Sequence, residues 1–170
     1  MNEYNTIKLS ELSTYAVQQL IDQGFNTVVF GVGSNEQHGP GIPLSTDAKQ
    51  ADYMANYLTQ NLPKTLQGPT IPVGFSEYHM EFPGTITLRQ STLIAVLEDY
   101  VSSIARHGFS KILIFNSHGG NEEMIQQAIE KQKKAYPDLE IHTYYNQEAE
   151  ETLGKLCHEF QITPQQLGSH

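Results

Sequence analysis

Thr27-Val28-Val29-Phe30-Gly31-Val32 is a short β-branched run that is apolar on both faces. It is too brief for a helix and lacks the polar side of a half-solvated strand, so it reads as a central strand of a parallel sheet. Lys111-Ile112-Leu113-Ile114-Phe115-Asn116 has the same character. Ahead of the first run, Leu12, Ala16, Val17, Leu20 and Ile21 recur at helical spacing, and Gly24 is placed to stop that helix. A second helix is expected over about 47–61, with Ala48, Ala51, Met54, Ala55 and Leu58 inward. Ser91 is the expected N-cap of a third, carrying Leu93, Ile94, Leu97, Val101 and Ile104 and ended by Gly108. Asn121 is placed to cap a helix through Ala135, which Pro137 prevents from continuing. Further strands are expected at 69–74, 85–88 and 139–145, and a last helix at 148–160. Strands alternating with crossover helices make an α/β fold with a mainly parallel sheet. Without repeats, low-complexity tracts or linkers, residues 1–170 read as one domain.

Composition narrows the function. The 170 residues carry 10 basic and 19 acidic side chains, a formal charge of −9, with a pI near 5.1. That balance excludes a protein that tracks nucleic-acid phosphates and one that lies on a membrane through a basic patch. Charged residues are 17%, too few for a charge-rich disordered chain, and the 38% that are hydrophobic suffice for one core. A single cysteine, Cys157, excludes an internal disulfide or a Cys-rich zinc module. No apolar run approaches the length of a membrane span and the first eight residues are polar, so the expected location is the cytoplasm. Seven histidines against ten lysines and arginines are the compositional oddity.

In parallel sheets ligands gather at the carboxyl ends of strands, and the two most unusual loops fall there. The first runs Gly33-Ser34-Asn35-Glu36-Gln37-His38-Gly39-Pro40-Gly41-Ile42-Pro43-Leu44-Ser45-Thr46-Asp47. Glu36 and His38 are two apart and project the same way from an extended chain. Gly39, Pro40, Gly41 and Pro43 permit a sharp, stiff path that returns Asp47 towards them. Mixed nitrogen and oxygen ligands suit Zn²⁺, Mn²⁺ or Fe²⁺ rather than Ca²⁺ or Mg²⁺. An isolated Glu-x-His is more often a solvated loop. The second loop, Ser117-His118-Gly119-Gly120-Asn121, shifts that balance by placing another imidazole directly after a buried strand. Its glycines allow close backbone approach, and Asn116 and Asn121 are placed to orient the imidazole or meet a substrate carbonyl. A third loop, residues 74–85, offers Ser76, Glu77 and His79 as substrate contacts at the same mouth. His107, His142 and His158 read as ordinary surface or strand histidines, and Cys157 as a packing residue. Gly31-Val32-Gly33-Ser34 hints at a flavodoxin-like phosphate or nucleotide binder. No lysine follows, however, and the spacing fits no phosphate fingerprint.

Glu36-Gln37-His38-Gly39-Pro40 followed by Pro43-Leu44 and Thr46-Asp47, Phe82-Pro83-Gly84-Thr85, and Asn116-Ser117-His118-Gly119-Gly120-Asn121 together resemble the creatininase (creatinine amidohydrolase) family. The resemblance runs from about Val29 to Asn121 and onward to the end of the chain. It implies a three-layer α/β/α sandwich, a binuclear centre of two divalent ions (Zn, Mn or Fe) and a homohexamer. Carried onto matching positions, Asp47 would bridge the metals, Glu36 and His118 would serve one, and His38 the other. A water shared by two such cations loses a proton near neutral pH, and the hydroxide attacks an amide carbonyl. The cations stabilise the oxyanion, and His79 protonates the leaving nitrogen. On this reading Glu36 and His79 are the catalytic candidates, and Ser76, Glu77 and Asn121 the substrate contacts. Members include creatinine hydrolases, deformylases of nucleotide-like substrates and peptide-trimming enzymes.

The expectation is therefore a metal-dependent amidohydrolase acting on a non-peptide or cyclic amide C–N bond of a small molecule. The competing reading is a catalytically inactive fold or small-molecule binding module. Two departures bear on it. Creatininase carries bulkier residues and a carboxylate directly after the second-loop histidine, where this chain has Gly119 and Gly120. Members also continue past this length to a His-Ala-Gly-Glu stretch that supplies another carboxylate. The ending Leu167-Gly168-Ser169-His170 resembles the opening of that stretch without its glutamate, so the domain is expected to lack its C-terminal part. Nothing in the helical setting of Glu148, Glu150 or Glu151 marks any of them as a substitute.

Overall fold

In the computed structural model, which describes residues 6–145, the run at Thr27–Val32 forms β1 inside a four-stranded sheet. It pairs in parallel with β2 (Thr65–Gln67) on one side and β3 (Lys111–Asn116) on the other. β3 pairs in parallel with β4 (Glu140–Tyr145), so the order is β2-β1-β3-β4 and every pairing is parallel. The crossovers carry α2 (Thr46–Asn61), α3 (Gln90–Arg106) and α4 (Glu122–Ala135), and α1 (Thr14–Asp22) precedes β1.

The alternation of side chains along β1 decides which helix covers which face. Val28, Phe30 and Val32, with Ile112 and Ile114 of β3, join a core built from Leu20 of α1, Leu93, Leu97 and Val101 of α3, and Ile125 and Ile129 of α4. The other face of β1 carries a glycine at its centre. A Cβ on Gly31 would lie 2.5 Å from the Ala51 carbonyl oxygen, and one on Gly33 would lie 2.5 Å from Ala48 Cα. The backbone of α2 therefore rests directly on β1. The helix presents Asp47, Ala51, Ala55 and Thr59 to it, a stripe of mostly small residues at four-residue spacing. Helices thus flank both faces, giving the α/β/α layering expected above.

Boundaries differ in places, each for a local reason. Segment 69–74 is not a strand; it meets the sheet through one parallel bridge, Ile71 to Val32. Pro69 and Pro72 have no N–H to extend a ladder, and β1 finds its neighbour in Thr65–Gln67 instead. Segment 85–88 likewise makes a single antiparallel bridge, Ile86 to Asn35, because it pairs with the loop after β1 and not with the sheet. In α2, Ala51 and Ala55 are buried, whereas Ala48, Met54 and Leu58 are half-buried and Thr59 holds the inward position. Ser91 lies inside α3, and Arg89 occupies the cap position without a side-chain cap bond. Gly24 and Gly108 take the left-handed conformation just past α1 and α3, as their placement required. The expected helix at 148–160, with Cys157 and His158, lies outside the described residues, as do Glu148, Glu150, Glu151 and His170. Among the described residues no helix is long and apolar enough to cross a membrane.

Candidate metal centre

Because β1 and β3 are parallel and in register from Thr27–Lys111 to Val32–Asn116, their following loops leave the sheet side by side. The first is closed on itself where the Glu36 N–H donates to Leu44 O at 3.0 Å. The third loop is stitched to it. The Ile86 N–H donates to Asn35 O at 2.9 Å, and Asn35 Nδ2 donates to Gly84 O at 3.0 Å. Asp47 sits in the first turn of α2, where the helix dipole favours a carboxylate. Ser34 Oγ donates to Asp47 Oδ2 at 2.6 Å, and Ser117 Oγ donates to the Asp47 carbonyl at 2.8 Å.

Glu36, Asp47 and His118 are all buried, and one ligand atom from each lies within 4.8 Å of the others. His118 Nδ1 is 3.2 Å from Glu36 Oε1 and 3.5 Å from Asp47 Oδ2. His38 Nε2 is 3.1 Å from Asp47 Oδ1. The two oxygens of Asp47 thus face two different imidazoles.

The far nitrogen of each ring settles what the near one offers. His118 Nε2 lies 2.9 Å from Phe75 O, and His38 Nδ1 lies 3.2 Å from Glu36 O. A carbonyl only accepts, so each of these nitrogens carries the hydrogen, and in the neutral ring the nitrogen facing the carboxylates is a lone pair. A lone pair 3.1–3.5 Å from a carboxylate oxygen repels it unless a proton or a cation lies between them. Without metal, the carboxylates favour a proton in that place. His38 is raised above its ordinary pKa chiefly by its hydrogen bond to Asp47, which outweighs burial. For His118 burial is the largest single influence and pulls downward; Glu36 through hydrogen bond and charge, the Phe75 carbonyl and Asp47 together lift it to a net rise. A divalent cation satisfies the same lone pairs and carboxylates without those protons. The donor set, two imidazole nitrogens and two buried carboxylates, is the kind that Zn²⁺ or Mn²⁺ takes.

The remaining expected residues are placed as follows. His79 Nε2 is 3.8 Å from Glu36 Oε1, with 14% of its side chain exposed. Ser76 is wholly buried; its N–H donates to Thr87 Oγ1 at 2.8 Å, and its hydroxyl has no partner among the described residues. Glu77 is exposed on the short 3-10 turn Glu77–His79 and is not part of the buried Glu36, Asp47 and His118 cluster. Asn121 is wholly buried. Its Oδ1 accepts the Phe75 N–H at 2.9 Å, and its Nδ2 donates to Gly33 O at 3.0 Å and to Asn116 Oδ1 at 3.4 Å, so the carboxamide is engaged within the protein. His107 and His142 are exposed and stand apart. Residue-by-residue reading missed Ser34, Ser117 and the Phe75 carbonyl. Ser34 had a signal, since it precedes Glu36 and His38 at two-residue spacing in an extended chain. The other two are brought in only by the fold.

The family described as creatinine amidohydrolase (creatininase) matches residues 10–170. A mycofactocin precursor peptide peptidase of Mycobacterium ulcerans (strain Agy99) is 35% identical over 129 residues, covering 71% of this chain and 51% of that protein. The fold is similar to that of a mutant creatininase of Zn–Zn type, with a TM-score of 0.79 at 19% identity, covering 96% of this chain and 69% of the other. A creatininase in an Mn form gives a TM-score of 0.76 at 21% identity, over 82% of this chain and 58% of the other. At these identities the structural likeness bears on the fold alone. The chain spans about half the length of the curated relatives it matches.

Proposed function

The chain belongs to the creatininase family, and on that premise we propose that it is a metal-dependent hydrolase of amide C–N bonds whose centre holds two divalent ions, Zn²⁺ or Mn²⁺. The observation that carries this reading is the division of Asp47 between two imidazoles, His38 on Oδ1 and His118 on Oδ2, with Glu36 buried beside the second. Glu36, Asp47 and His118 would hold one ion, and Asp47 with His38 the other. When bound, such ions acidify water towards neutrality and polarise a carbonyl, which supplies both nucleophile and electrophile for amide hydrolysis.

The residues of this chain do the rest. Asp47 is held by Ser34 and by the first turn of α2, so its two oxygens keep their separate directions. Glu36 is closed off from water, where its carboxyl group interacts strongly with a neighbouring cation or proton. His79 reaches this carboxylate from the rim and is partly solvent-accessible, the position of a group that gives a proton to a departing nitrogen. The Ser76 hydroxyl, buried without a partner among the described residues, is suited to bond a polar atom of the substrate. Exposed apolar side chains at Ile42, Met80, Phe82 and Ile86 lie on the two loops that bring in Glu36 and His79.

Two substrate classes fit: a small cyclic or other non-peptide amide, or a peptide bond. The second is favoured by the 35% identity to a peptidase. The test is metal content followed by turnover. About two ions per chain should bind, and Glu36→Gln or His118→Ala should abolish tight binding. An intact protein that takes up no Zn²⁺ or Mn²⁺ overturns the proposal. Hydrolysis of a cyclic amide set against release of a C-terminal fragment from a peptide separates the two classes. Assembly as a homohexamer is proposed for the whole protein and is checked by light scattering.

A further inference from the structure

Asn121 stands at the N-cap position of α4, yet its side chain makes no cap bond. An asparagine there ordinarily accepts from an N–H of the first turn, a contribution of about 1 kcal/mol. Here the carboxamide reaches across to two neighbouring loops instead. Its Oδ1 accepts the Phe75 N–H at 2.9 Å, and its Nδ2 donates to Gly33 O at 3.0 Å, just past β1. Phe75 in turn offers its carbonyl to His118 Nε2 at 2.9 Å. That bond gives Nε2 the hydrogen and leaves Nδ1 facing Glu36 and Asp47.

Two glycines clear the path. A Cβ on Gly74 would lie 2.3 Å from Asn121 Oδ1, and one on Gly120 would lie 2.4 Å from His118 Nε2 and 2.7 Å from Phe75 O. No larger residue fits at Gly120 without wedging apart the bond that orients the ring. Asn116 completes the arrangement by accepting the His118 N–H on its Oδ1 at 3.2 Å, which holds the backbone while Phe75 holds the ring.

We propose that Asn121 is a positioning residue: through the Phe75 backbone it fixes which nitrogen of His118 is presented to Glu36 and Asp47, and Gly120 is glycine to leave that link intact. The meaning of this lock for metal binding rests on the proposed function, but the lock itself exists without metal. It also accounts for a wholly buried asparagine whose amide is held by the Phe75 and Gly33 backbone and by Asn116 Oδ1 at 3.4 Å.

The experiment is ¹⁵N-histidine NMR on the metal-free 170-residue chain, at a mildly acidic pH where both nitrogens of each ring carry hydrogen, followed by Zn²⁺ titration at neutral pH. In the parent the His118 Nε2–H should be observable and slow to exchange with solvent, because it donates to Phe75 O. Asn121→Ala and Gly120→Ala should each speed that exchange or broaden the signal. The His38 Nδ1–H, held by Glu36 O on a separate loop, should stay protected throughout and so reports an intact fold. Zn²⁺ affinity should fall roughly 10–100-fold in the two disrupting variants, the usual effect of losing a group that orients a ligand. Unchanged protection of the His118 Nε2–H in either folded disrupting variant overturns the inference. A parent with the protected Nε2–H but no Zn²⁺ binding overturns the metal reading and leaves the positioning role standing.

Discussion

Replacing Glu36 by glutamine keeps the volume and removes the charge, so it isolates what the buried carboxylate does. In the metal-free protein its partner is His118, 3.2 Å away, in a wholly buried setting. At that distance and an effective dielectric near 20, the attraction to a protonated imidazole is about 5 kcal/mol. Desolvation offsets part of it, and removing one member of a buried pair costs about 3–5 kcal/mol. Because glutamine still accepts a hydrogen bond, a loss of about 3 kcal/mol is expected where His118 is charged. The pH dependence gives the test its sign. The folded-state pKa of His118 is raised, so its linked stability is complete below the unfolded value near 6.5 and vanishes as pH rises through the folded value. Urea unfolding in chelator should therefore show a penalty of about 3 kcal/mol at pH 6 that shrinks to about 1 kcal/mol or less at pH 9. Zn²⁺ affinity should fall by more than the roughly 10–100-fold typical of losing a merely supporting group. Equal penalties at both pH values would refute the account, because Glu36 would then act by packing and not by charge.

Gly33→Ala places a methyl 2.5 Å from Ala48 Cα, where only backbone can yield. It should cost about 1–3 kcal/mol in chemical denaturation and weaken Zn²⁺ binding by displacing Asp47. Gly41→Ala, with nothing within 4 Å, should stay within about 0.5 kcal/mol and serves as its control. Ser34→Ala removes a buried donor at 2.6 Å from Asp47 Oδ2. Calorimetry should show about 1–3 kcal/mol less stability and weaker Zn²⁺ uptake. Thr85→Val removes a buried hydroxyl that has no partner among the described residues, so thermal melting should show no loss or a gain up to about 1 kcal/mol. A clear drop in melting temperature would contradict that reading.

What the sequence disclosed about the site followed how local each signal was. Glu36 and His38 share an extended segment, and Asp47 opens the helix that the same loop feeds. His118 closely follows a strand in register with β1. These positions depend only on chain direction and the rule that parallel strands point their carboxyl ends the same way. Segments 69–74 and 85–88 misled for a complementary reason. Their residues suit strands, yet prolines and pairing with another loop kept them out of the ladder. Asn121 shows the limit most plainly. Its type and place fit a helix cap or a substrate contact, and neither reading foresees a carboxamide engaged by Gly33 and Phe75.

The sequence by itself determined the α/β class, the central strands and the candidate ligand types, because periodicity and side-chain chemistry are properties of short stretches. Only the tertiary structure decided which atoms face one another. It set Asp47 Oδ1 against His38 and Oδ2 against His118, and chose Nδ1 of His118 by giving Nε2 to the Phe75 carbonyl. Those choices rest on contacts between residues far apart in the chain. They are possible because Gly31, Gly33, Gly74 and Gly120 let backbone approach more closely than any side chain would allow.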